Sequence, residues 1–184
     1  MLLKLTFAFV GIVTGLQSVQ SEAKSIFEYF DTIQNACYGR VYSKAHLAKH
    51  PNQRVRSILI KSFPQAFNVE NNVDTDGTPK QVYLSLEVQM RKSRKLFEES
   101  AICEKRGDHF YCGIECDGGG FDLLARNGKK ILLKTGEYGF RVVAGGGCDG
   151  DIGEENYKRI TRKSDDKAFL LSALPAAQCV EPIK

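Results

Sequence analysis

From Arg54 onward, apolar and polar residues alternate along the chain. Val82, Leu84, Leu86, Val88 and Met90 are interleaved with Tyr83, Ser85, Glu87, Gln89 and Arg91 without a break. That period of two predicts an antiparallel strand with one buried and one wet face. Rougher runs of the same period cover 54–62, 95–105, 109–116, 120–126, 129–135, 138–144, 157–162 and 168–172. Gly107-Asp108 and Asn127-Gly128 are turn pairs between such runs. Short turns with no long helical insertion predict neighbouring strands in sequence order. The expected class is therefore mainly β, an antiparallel up-and-down β-barrel, with a β-sandwich as the alternative.

The period differs upstream. Ser25 and Glu28 form a capping box, and Ile26, Phe30, Ile33 and Cys37 recur at helical spacing, so a short N-terminal helix is expected over Ser25–Cys37. A second short helix is expected from Ser43 to Lys49, stopped before Pro51. Residues 1–23 read as a signal peptide. Lys4 supplies the early charge, Leu5 to Leu16 the apolar run, and Ser21-Glu22-Ala23 the cleavage site. The apolar run is shorter than the ~20 residues that span a bilayer, so no membrane span is expected in the mature chain. Residues 24–184 then form a single domain: a helical segment over 24–52, strands over 53–172 and a tail over 173–184. The expected location is periplasmic or secreted.

The six cysteines fit an oxidising compartment. With Gly107-Asp108 as a two-residue loop, Arg106 stands opposite His109 and Cys103 opposite Cys112. The second pair is a non-hydrogen-bonded site, where Cα atoms lie about 4.5 Å apart and a disulfide can close. Cys116 and Cys148 sit at strand ends beside glycine-rich turns and could meet at one rim. Elimination then leaves Cys37 with Cys179, although spacing alone keeps other pairings open. None of these cysteines has the paired Cys-x2-Cys spacing of a zinc ribbon.

The formal charge is +4, from 26 Lys and Arg against 22 Asp and Glu. The basic residues are spread along the chain, apart from Arg91, Lys92, Arg94 and Lys95, which read as a solvated turn. Nucleic-acid binding would need a larger basic face with aromatics among it. Asn72 to Gly77 matches the first half of a calcium loop, but position twelve is Tyr83 rather than glutamate. Asp149, Asp151 and Glu154, with Glu155, form a second acidic group that could offer oxygen ligands to calcium. His46 and His50 stand one helical turn apart, which is more often a surface pair than a metal site. Arg106-Gly107-Asp108 is an RGD tripeptide on a hairpin tip, where Gly-Asp is also ordinary turn chemistry. No Gly-x-Ser-x-Gly, His-Glu-x-x-His or Walker sequence is present, and no cofactor is expected.

Cys37-Tyr38-Gly39-Arg40-Val41-Tyr42 with Ala45-His46-Leu47, then Cys116 to Phe121, and Asp165-Asp166 before Phe169, resemble a group of small exported bacterial proteins with no known activity. The resemblance spans most of the mature chain and implies an envelope location. The architecture is also loosely similar to lipocalin-like (calycin) barrels. Their Gly-x-Trp signature is missing, since the chain has no tryptophan. Together these features lead to an exported, non-enzymatic β-barrel that binds an unknown ligand, such as a small apolar molecule. The inward row Val82, Leu84, Leu86, Val88 and Met90 would line its pocket or fill its core. The alternative is an envelope protein acting on a protein partner, such as an inhibitor of a secreted hydrolase, through disulfide-braced loops near 105–109 or 145–155.

Overall fold

The structure is a computed structural model and describes residues 25–30, 36–62, 73, 75, 77, 79–145 and 153–179. Nine strands form one antiparallel sheet: β1 (Cys37–Val41), β2 (Val55–Ser62), β3 (Gln81–Met90), β4 (Leu96–Arg106), β5 (His109–Ile114), β6 (Gly119–Arg126), β7 (Lys130–Val143), β8 (Tyr157–Ile160) and β9 (Ala168–Ala173). Strands β1 to β7 pair in sequence order, as their short turns require. Strand β9 lies between β7 and β1, pairing Lys130 with Ser172 on one side and Tyr38 with Ala173 on the other. The ring thus closes through eight strands, and β8 stands outside it. Closure removes the free edges a sandwich would leave, so the barrel expectation holds and the sandwich does not.

The two runs expected at 129–135 and 138–144 are one long strand that bends. The first part of β7 pairs with β6 and β9, and the second part pairs with β8, Phe140 opposite Ile160, while Phe140 also stands opposite Gly119 at the start of β6. It also crosses the end of β4, where Glu98 meets Val143. Two glycines permit this close approach. A Cβ on Gly119 (φ +75°) would sit 2.1 Å from the Gly139 carbonyl oxygen, and one on Gly139 (φ +75°) would sit 2.2 Å from that of Ile160. Neither space admits a side chain, and both dihedrals favour glycine.

Alternation puts one face of every ring strand inside. Val82, Leu84, Leu86, Val88 and Met90 all point inward, no more than 5 % exposed, and join a continuous core with Ile58, Phe97, Phe110, Phe121, Leu133 and Phe169. The rim carrying the β4–β5 and β6–β7 turns is stoppered by the N-terminal segment. Phe27 meets the Phe110 ring edge-on at 4.9 Å, and the Tyr29 hydroxyl donates to the Arg126 carbonyl at 3.0 Å.

That segment corrects the expected helix over Ser25–Cys37. The capping box forms, with Ser25 Oγ accepting from the Phe27 amide and Glu28 Oε1 from the Ser25 amide. Yet the segment is a single 3-10 turn, Ile26–Tyr29, ended by Phe30 at φ −122°, ψ 66°. Cys37 heads β1 instead, because the ring needs an extended segment there to join β2 to β9. Residues 31–35 lie outside the described ones. The second helix is present as α1 (Lys44–Lys49), with Ser43 Oγ accepting from the His46 amide.

Two disulfides lie wholly among the described residues. Cys103 and Cys112 are bonded, opposite each other on the inner wall, with Cα atoms 3.8 Å apart, and Arg106 faces His109 as the hairpin register predicts. Cys37 is bonded to Cys179, tying β1 to the closing turn Ala176–Cys179. Cys116 is disulfide-bonded too. Its expected partner, Cys148, lies outside the described residues.

Candidate functional site: a basic cleft on the rim opposite the N-terminal segment

The rim opposite the N-terminal stopper carries a cleft of about 710 Å³. Three separated pieces of chain build it: Pro51 to Arg54 leading into β2, Met90 to Ser93 in the β3–β4 turn, and Lys158, Lys163 and Ser164 around the β8–β9 connection. Asp166 holds two of them together. It is fully buried, and its carboxylate accepts the backbone N–H of Arg54 at 3.0 Å, that of Val55 at 3.2 Å and the Ser164 hydroxyl at 2.9 Å. The Asp165 carboxylate accepts the Asn52 amide at 3.2 Å. A backbone bond fixes the third piece, since the Arg91 amide donates to the Arg54 carbonyl at 2.7 Å.

The charge of this cleft has one sign. Arg54, Arg91, Lys92, Lys158 and Lys163 line it, and no aspartate or glutamate does. Among the described residues none of the five makes an ion pair with a carboxylate. Three of them donate to carbonyl oxygens instead: Arg54 Nη1 to Arg159 at 3.1 Å, Arg91 Nη1 to Leu47 at 3.1 Å, and Lys158 Nζ to Glu154 at 2.7 Å. Such bonds hold the side chains in place and leave their charge uncompensated. Arg54, Arg91, Lys92 and Lys163 are exposed and Lys158 half-buried, so the stems can pack while the heads stay wet.

The residues expected from sequence are dispersed. Of the inward row, Met90 also reaches the cleft wall, while Val82, Leu84, Leu86 and Val88 belong to the core alone. Arg91 and Lys92 are exposed in the β3–β4 turn, as expected, and also line the cleft; Lys95 donates to Asn156 Oδ1 at 2.6 Å. Arg54, Lys158 and Lys163 carry no sequence signal: Arg54 comes beside Arg91 through the β2–β3 pairing, and Lys158 and Lys163 join them from β8 and the β8–β9 connection.

Asp149 and Asp151 lie outside the described residues, as do Asn72, Asp74 and Asp76 of the calcium-like loop. Glu154 sits in an exposed turn before β8, and among the described residues no cluster of three metal-ligating side chains occurs. His46 and His50 stack at 4.3 Å, and His46 Nε2 is 3.0 Å from Gln53 Oε1, so the pair is knitted into the α1 surface. Tyr42 stacks against His46, its phenol pushed up to about 12 by burial against the opposing pull of Arg40.

At the hairpin tip the Arg106 guanidinium lies over the Tyr111 ring at 4.0 Å, while Asp108 is 95 % exposed. The hydrogen bond from His109 holds the Asp108 carboxyl below its ordinary range. The tripeptide thus presents its acid and folds its arginine back.

The chain matches no family model, no curated protein and no solved structure. Among the described residues no helix is long and apolar enough to cross a membrane.

Proposed function

We propose that this is an exported, non-enzymatic binding barrel whose ligand sits at the rim opposite the N-terminal segment rather than in the interior. One observation carries the proposal: the barrel's inner row is packed into a continuous core, while the cleft of about 710 Å³ lies at the rim. That volume falls in the range of roughly 300–1,000 Å³ usual for small-molecule sites. The disulfides and the apolar leader pattern of residues 1–23 support a periplasmic or secreted location.

Amide chemical shifts of the isotope-labelled protein, followed against a library of small fragments, test the proposal. Perturbations gathered at Asn52, Gln53, Met90 to Ser93, Lys163 and Ser164 are expected. Perturbations gathered instead at Leu84, Leu86 and Val88 would place the ligand inside the barrel and overturn it.

A further inference from the structure

We infer that the rim cleft recognises a ligand carrying several phosphate oxygens, either a free phosphorylated molecule or a phosphorylated headgroup. This inference rests on the rim-binding proposal and names its ligand class. The first argument is charge. Five cations converge on one cavity whose lining contains no carboxylate side chain, and among the described residues none of the five has a carboxylate partner. Like charges held together in a folded rim repel one another, and a polyanion would relieve that repulsion. Two acids stand behind the lining and offset part of this charge: buried Asp166 accepts from Arg54 N–H, Val55 N–H and the Ser164 hydroxyl, and Asp165 accepts the Asn52 amide. Five cations against these two acids still leave the cleft positive.

Hydrogen-bonding geometry is the second argument. Arg54 and Arg91 each commit one terminal nitrogen, Nη1, to a backbone carbonyl, and the rest of each planar fork is left to grip an oxyanion in bidentate fashion. Lys92 and Lys163, both exposed, add point charges from two different pieces of the chain. Forks and point charges together fit tetrahedral oxyanions better than a single flat carboxylate. Size is the third argument, because a cavity of about 710 Å³ exceeds what one inorganic phosphate occupies and accommodates linked or ring-borne groups. Pro51 and Met90 add apolar lining for the scaffold that bears them.

Titration calorimetry of the oxidised full chain would be run with sodium tripolyphosphate, and sedimentation binding with vesicles of phosphatidic acid in phosphatidylcholine. Each would be repeated with Lys92→Glu/Lys163→Glu and with Lys130→Glu/Lys134→Glu, exposed charges placed away from the cleft. The expected result is binding that the first pair weakens by about tenfold or more, the loss of at least one charge-assisted hydrogen bond, and that the second pair barely moves. Binding to tripolyphosphate with that pattern supports a free ligand; binding to the acidic vesicles alone with that pattern supports a headgroup. No binding to either, or equal loss in both variant pairs, overturns the inference. Fragments that still perturb the rim amides would then leave the rim-binding proposal standing, and silent rim amides would end both.

Discussion

Replacing Asp166 with alanine removes one carboxylate and strands three donors. The Val55 N–H is the costly one, because Val55 is fully buried and water cannot reach it. A buried donor left unpaired costs about 1–3 kcal/mol, so we take roughly 2 for Val55. Arg54 is exposed and Ser164 half-buried, so water replaces most of what they lose; together they add about 1 kcal/mol. The expected loss is about 3 kcal/mol, a large share of the 5–15 kcal/mol typical of a domain. At about 2–4 °C per kcal/mol for a chain of this size, the midpoint should fall by roughly 6–12 °C. Asp166→Asn keeps an oxygen for the two amides and lets the Ser164 hydroxyl rotate to accept, so it should cost only about 1 kcal/mol. Urea unfolding of both variants with disulfides intact measures the pair. An alanine variant within about 1 kcal/mol of wild type, or an asparagine variant as weak as the alanine one, would refute the account of the clamp.

Three further outcomes follow from the same structure. Leu86→Ala, at a fully buried inner-wall position, should cost about 3–4 kcal/mol by denaturant unfolding; a loss under about 1 kcal/mol would mean that the inner row borders space rather than core. Removing the Cys37–Cys179 bridge by double alanine substitution frees a separation of 142 residues and should cost up to about 5 kcal/mol in the chain-entropy treatment; an unchanged denaturation midpoint would show that the β1–β9 seam holds without it. Burial raises the Glu99 carboxyl above its usual range, against the pull of Arg141 at 3.2 Å. Because the folded state then holds that proton more tightly than the unfolded one, the stability it contributes is present at low pH and lost as pH rises through the folded value. Glu99→Gln should therefore gain on wild type as pH goes from about 4 to about 7, and a pH-independent difference would contradict this.

What the sequence reveals is local. The Gly107-Asp108 turn sets the β4–β5 register within a few residues, so the Cys103–Cys112 bond is legible from the hairpin alone. The unbroken alternation at Val82 to Met90 likewise needs only its own strand to be read. Strand β1 is hidden, because Cys-Tyr-Gly-Arg-Val has no clean alternation and becomes a strand through partners from β2 and β9. The apolar stripe of Ile26 and Phe30 is plain in the sequence, but its use as a stopper against Phe110 is not. Two apparent strands merge into β7 because Gly136 and Gly139 resemble a turn and serve as a bend. The basic cleft is the least legible feature, since its cations lie far apart in sequence and gain meaning only when the fold brings 54, 91 and 163 together.

The seam between β1 and β9 has a consequence for how the molecule is made. The first strand of the ring cannot complete its hydrogen bonds until the last strand is present, so β1 can pair with β9 only after nearly the whole ring has been made. Ring closure and the Cys37–Cys179 bond must be late events, and contacts of such long sequence separation make the final step slow. The order of strands around the ring does not depend on which covalent link is left out. A permuted chain in which a linker joins β9 to β1 across this seam, with new ends opened at Asn127-Gly128, is therefore expected to carry the same barrel while assembling it from a different starting point.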